Sequence, residues 1–106
     1  MAFVRVASRS EIPAGEVRVF ALDGHRICVA SIDGDKFYAV DDKCTHDGGP
    51  LGEGRIVNGT VECPRHGGRF DLQTGAVKAL PPIHPIRAYE VKLKGDEISV
   101  DLGSQD

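Results

Sequence analysis

Along most of the chain, polar and apolar residues alternate with a period of two. The stretches Glu16-Val17-Arg18-Val19, Tyr89-Glu90-Val91-Lys92-Leu93-Lys94 and Glu97-Ile98-Ser99-Val100-Asp101-Leu102 each place apolar side chains on one side only. That pattern predicts half-buried strands. Residues 26–32 are nearly continuous in apolar character and predict a more fully buried strand, and Phe37-Tyr38-Ala39-Val40 predicts another. The N-terminal residues 1–9 predict a first strand. Asp23-Gly24, Asp33-Gly34-Asp35, Asn58-Gly59 and Gly95-Asp96 separate apolar runs, and such pairs accept the positive φ of tight hairpin turns. Asn58-Gly59 is the clearest, with Ile56-Val57 before it and Thr60-Val61 after. Residues 8–14 predict a short turn or a single helical turn. No long segment follows a 3.6-residue period, so the predicted class is an all-β antiparallel sandwich or small barrel.

Between about Lys43 and Leu80 the alternation weakens and glycine rises, at Gly48, Gly49, Gly52, Gly54, Gly59, Gly67, Gly68 and Gly75. This texture predicts a small inserted subdomain that holds a site, resting on a base formed by the flanking strands. A chain of 106 residues suits one domain.

Charge and hydropathy narrow the function. The net charge is −3 with no basic tail, which argues against nucleic-acid binding. No apolar run approaches ~18 residues, so no membrane-spanning helix is expected. The first residues lack the apolar core of a signal peptide, and the expected compartment is the cytoplasm. Three cysteines in such a chain do not suggest a disulfide framework. Cys28, inside Ile27-Cys28-Val29-Ala30, is expected to be a buried, inert thiol.

The remaining cysteines stand in two clusters, Cys44-Thr45-His46 and Cys63-Pro64-Arg65-His66. Two thiolates and two imidazoles make a four-ligand set, and the order Cys-x-His then Cys-x-x-His is not that of a zinc finger. It fits a pair of irons, one held by two cysteines and the other by two histidines. Gly48-Gly49 and Gly67-Gly68 follow the two pairs and would let backbone N–H groups approach bridging sulfides, which favours a cluster without excluding zinc.

These residues, with Gly67-Gly68-Arg69-Phe70-Asp71, Thr74-Gly75 and Pro81-Pro82, closely resemble the Rieske-type 2Fe-2S ferredoxins, above all those that serve bacterial aromatic-ring-hydroxylating dioxygenases. The resemblance implies a single Rieske domain over residues 1–106. Its basal β part would cover about 1–42 and 81–106, and its two-loop cluster-binding subdomain about 43–80. It implies one Rieske-type 2Fe-2S cluster per chain, with Cys44 and Cys63 on the buried iron. His46 and His66 would bind the outer iron through Nδ1, leaving an imidazole edge for electron transfer. Lys78-Ala79-Leu80-Pro81-Pro82 would form a loop covering the cluster. Rieske subunits of cytochrome bc-type complexes carry two further cysteines, and a serine and a tyrosine that bond to sulfur. The matching positions here are Gly49, Arg65, Gly68 and Phe70, which implies a low potential.

Other candidates carry less. His25 is expected at the surface, and His84 lies beside the proline loop. Asp47 suits loop capping more than tuning of His46. Arg65 and Arg69 suit either partner contact or salt bridges to Glu62 or Asp71. Phe20, Phe37 and Tyr38 suit packing. There is no acid–base pair, nucleophile motif or phosphate loop. With all four ligands spent on iron, no position would remain for substrate, which argues against catalysis by the chain itself, and the resemblance implies electron transport. The chain would be a monomeric carrier between a flavin-containing NAD(P)H-dependent reductase and a terminal Rieske non-haem iron oxygenase. The alternatives are a small subunit of a nitrite reductase or another monooxygenase system, and a zinc-binding structural module.

Overall fold

In a computed structural model, the described residues are 3–22, 24–43, 51–64, 67–80 and 84–103. Among the described residues, ten strands form two antiparallel sheets. The larger has the order β1-β10-β9-β4-β3-β2 and is built from β1 (Phe3–Ser8), β2 (Val17–Leu22), β3 (His25–Ser31), β4 (Phe37–Asp41), β9 (Ala88–Lys94) and β10 (Glu97–Asp101). The smaller has the order β5-β6-β7-β8, with β5 (Arg55–Val57), β6 (Thr60–Glu62), β7 (Arg69–Asp71) and β8 (Val77–Ala79). Two short 3-10 turns, Arg9–Glu11 and Leu51–Glu53, complete the described elements.

The all-β expectation holds, and the alternating segments become β2, β9 and β10. The nearly unbroken apolar run becomes β3, for a reason the register makes plain. Ile27 and Val29 enter a core with Ile12, Phe37, Ala39, Ile98 and Val100, while Cys28 and Ala30 enter a second core with Val40, Leu51, Val61, Phe70 and Leu72. A strand buried on both faces has no polar side to show. β4 divides in the same way, Phe37 and Ala39 to one core and Val40 to the other.

The predicted Asn58-Gly59 hairpin joins β5 to β6. Asn58 has φ 46° and Gly59 φ 78°, the pair of positive angles such a two-residue turn requires. The expected single turn near residue 9 is the 3-10 turn, its entry held by the Ser8 N–H donating to Glu11 Oε2 at 2.8 Å. Strands β7 and β8 were not foreseen. With three residues each, neither offers a full alternation, and β8 lies in the segment expected to be loop. Lys78 and Ala79 are therefore strand residues, whereas Pro81 and Pro82 lie outside the described residues.

Candidate metal centre

The smaller sheet carries Cys63, the first residue of the second Cys–His segment. β6 ends at Glu62, β7 begins at Arg69, and these two residues are the last register pair before residues 63–68. The Cys63 N–H donates to the Gly68 carbonyl at 2.6 Å, and the Gly67 N–H returns to the Cys63 carbonyl at 3.1 Å. Gly67 takes φ 76° to make that return. Below the loop, Glu62 is gripped by two guanidiniums across three strands. Arg55 Nε donates to Oε1 at 2.7 Å, and Arg69 lies 3.3 Å from Oε2. The hydrogen bond from Arg55 holds the Glu62 carboxyl below its usual range. Arg69 thus pairs with Glu62, while Asp71 accepts from the Gln73 and Thr74 N–H groups in the next turn.

Cys63 itself is 1% exposed and sits in the core between the two sheets, with Val61, Leu51 and Phe70. Among the described residues it has no disulfide partner. The other three expected ligands, Cys44, His46 and His66, lie outside the described residues, as do Asp47, Gly48, Gly49 and Arg65. A buried thiol at the root of a hairpin loop fits the soft-donor half of an iron–sulfur site.

The base of the first loop is held by a residue that sequence reasoning passed over. Asp42 follows β4 directly, and its side chain is fully buried. Its Oδ1 accepts from the Gly52 N–H at 2.7 Å and from Cys28 Sγ at 3.2 Å, and its Oδ2 from Arg26 Nη2 at 3.1 Å. The available signal was its place: a polar residue closing an apolar strand, two positions before Cys44. Cys28 is buried as expected. Burial, reinforced by the hydrogen bond to Asp42, pushes its thiol far above the ordinary range.

His25, expected at the surface, is half-buried as the first residue of β3 and meets the Tyr89 ring edge-on, centroids 6.4 Å apart. His84 is exposed. Phe37 is buried, and Phe20 and Tyr38 pack against the two cores, as expected of packing residues.

The sequence model of the Rieske [2Fe-2S] domain matches residues 2–90. The chain belongs to the Rieske family. The biphenyl dioxygenase ferredoxin subunit of Pseudomonas sp. strain KKS102 is 36% identical over 103 residues, covering 96% of this chain and 94% of that protein. The biphenyl 2,3-dioxygenase ferredoxin component of Rhodococcus jostii strain RHA1 is 37% identical over 102 residues, with coverage of 96% and 94%. Among solved structures, the ferredoxin of carbazole 1,9a-dioxygenase from Nocardioides aromaticivorans IC177 superposes with a TM-score of 0.89 at 40% identity, over 94% of this chain and 97% of that one. This Rieske domain carries a Rieske-type 2Fe-2S cluster, and it is an electron-transfer ferredoxin rather than a catalyst. No helix among its described residues is long and apolar enough to cross a membrane.

Proposed function

We propose that this ferredoxin carries single electrons from a flavin-containing, NAD(P)H-dependent reductase to a terminal Rieske non-haem iron oxygenase of an aromatic dioxygenase system. Support for the oxygenase end comes from relatives that are ferredoxin components of biphenyl dioxygenases. It also comes from a solved complex of oxygenase and ferredoxin in carbazole 1,9a-dioxygenase, whose superposition reaches a TM-score of 0.85 at 34% identity. The chain works as a monomer in the cytoplasm.

The observation that carries the site is the placement of Cys63, buried at the root of the loop that also contains His66. Cys44 and Cys63 would hold one iron of the cluster, and His46 and His66 would hold the other. When bound there, the cluster would supply one-electron redox chemistry. The chain's own part is to bury the thiolates, to fix both loops, and to leave an imidazole edge for partners to meet. The division into a basal part of about 1–42 and 81–106 and a cluster-carrying part of about 43–80 is supported by where the two sheets draw their strands. Phe70 is buried without a hydroxyl and Gly68 has no side chain, so neither stabilises the reduced cluster by donating to sulfur. The midpoint potential consequently lies toward the negative end of the Rieske range.

The test begins with the purified protein. Iron and acid-labile sulfide in equal amounts are expected, together with a reduced-state paramagnetic resonance spectrum of lower average g than all-cysteine clusters give. His66→Cys should change that spectrum. A colourless protein with stoichiometric zinc would reject the cluster, and a midpoint above about +100 mV would reject the low-potential role. Reconstitution with a dioxygenase and its reductase should support NADH-driven turnover. Failure there, with stable co-purification alongside a reductase subunit, would favour a role as an enzyme subunit.

A further inference from the structure

Asp42 and Gly52 stand on either side of the segment containing Cys44 and His46, Asp42 at its entry and Gly52 just past its exit. The Asp42 carboxylate spans that gap. Water is excluded from it, and a buried carboxylate persists only where donors satisfy it. Three do. The Gly52 N–H and the Cys28 thiol reach Oδ1, and the Arg26 guanidinium reaches Oδ2. The Asp42 N–H also donates to the Arg26 carbonyl at 3.0 Å, so the residue is pinned to β3 by backbone and side chain together.

Gly52 is fitted to this contact. A Cβ at that position would lie 1.9 Å from Val19 Cγ2 and 3.2 Å from Asp42 Oδ1. Only a bare backbone brings its N–H this close. Leu51 beside it is wholly buried, and its carbonyl accepts from the Gly54 N–H at 2.9 Å. The exit of the loop is thus held by an apolar anchor and by the carboxylate at its entry.

We propose that Asp42 is a positioning residue for the first cluster loop. Its carboxylate fastens the loop's exit to its entry and sets a fixed negative charge beside the first ligand pair. The proposal rests on the assignment of Cys44 and His46 as ligands. Asp42 stands only two residues before Cys44 in the chain. A negative charge this close opposes electron uptake, and a firm loop keeps ligands in place when one is exposed to competitors.

Two substitutions separate the two effects. Asp42→Ala removes every side-chain bond, and the holoprotein should lose iron to a chelator about 10- to 100-fold faster than the unaltered protein, the usual cost of removing a group that orients ligands. Asp42→Asn keeps an oxygen for the Gly52 N–H and should hold iron nearly as the unaltered protein does. Its midpoint potential, however, should shift to more positive values, because the charge is gone. Unaltered iron release in Asp42→Ala, or an unmoved midpoint in Asp42→Asn, would overturn the proposal. Should Asp42→Ala fail to fold, Arg26→Gln decides. Arg26 is largely exposed, and losing its positive charge should move the midpoint to more negative values. No movement there would count against the proposal.

Amide exchange at Gly52 is independent of the cofactor. Its protection should be lost in Asp42→Ala, and retention would refute the clasp. Absence of iron and sulfide from the unaltered protein would instead refute the ligand assignment and leave the exchange result standing.

Discussion

Cys28 and Cys63 share one core but have opposite chemical fates. Cys63 directly follows the short strand β6, where the chain turns into a loop. Cys28 is in the middle of a strand buried on both faces, and its S–H donates to a carboxylate. Ionising Cys28 would place a second negative charge against Asp42 without solvent. Its thiol should accordingly resist iodoacetamide at pH 8 in the native protein and react only on unfolding, which mass spectrometry can follow. Cys28→Ser keeps both the size class and the donor, so the resonance spectrum of the cluster should be unchanged. Loss of the cluster in that variant would make Cys28 more than a packing residue. The sequence showed Cys28 as an inert thiol because its neighbours are apolar. It did not show Asp42 as its partner, because the two are fourteen positions apart and meet only through strand pairing.

At the scale of elements, the junction between β4 and β9 is the narrow point of the larger sheet. Its register pairs are Ala39 with Tyr89 and Val40 with Ala88. The Tyr89 hydroxyl donates to Asp41 across this junction, and the Arg87 guanidinium lies 4.6 Å from the ring centre. Tyr89→Phe should lower stability by about 1 kcal/mol at neutral pH, measured as a shift in denaturant midpoint. Burial, with the bond to Asp41, raises the Tyr89 pKa. The folded protein therefore keeps the proton while the unfolded chain loses it near pH ~10. The contribution is complete below that value and declines as pH rises through the folded one. The difference between the two proteins should shrink correspondingly in strong alkali. The 3-10 turn Leu51–Glu53 packs against β2. Gly52→Ala would force a methyl group into Val19 and should cost about 1–3 kcal/mol, seen as a lower unfolding midpoint. An unchanged midpoint would mean that this contact yields freely. Elements were legible where alternation runs five residues or more, as in β9 and β10. The three-residue strands β7 and β8 were not, because so short a segment is defined by its neighbour's hydrogen bonds rather than by its own pattern.

For the molecule as a whole, two sheets share one buried face, and charge is spread over the outside. Several carboxyls there sit below their ordinary range. Glu97 does so through a hydrogen bond from Arg5, Glu62 through Arg55, and Asp33 through the N–H groups of Asp35 and Lys36. Depressed folded values mean that the stabilisation is present above the unfolded carboxylate range, near pH ~4, and is lost as pH falls through the folded values. Unfolding midpoints should therefore hold between pH 7 and 5 and fall below about pH 4. Added salt should weaken the Arg5–Glu97 contribution, since both partners are exposed. A midpoint already falling between pH 7 and 5 would place another titrating group in control. The sequence by itself determined the strand-rich class and the hairpin turns, and it supplied the spacing on which the proposal of two Cys–His pairs as donors rests. Those properties are written in local spacing, where a period of two, a positive-φ pair or a ligand interval is a statement about near neighbours. Tertiary structure alone decided that β3 faces two cores, that Glu62 bridges Arg55 and Arg69, and that Asp42 reaches Gly52, Cys28 and Arg26. Each depends on burial and pairing between distant positions, which no local pattern encodes.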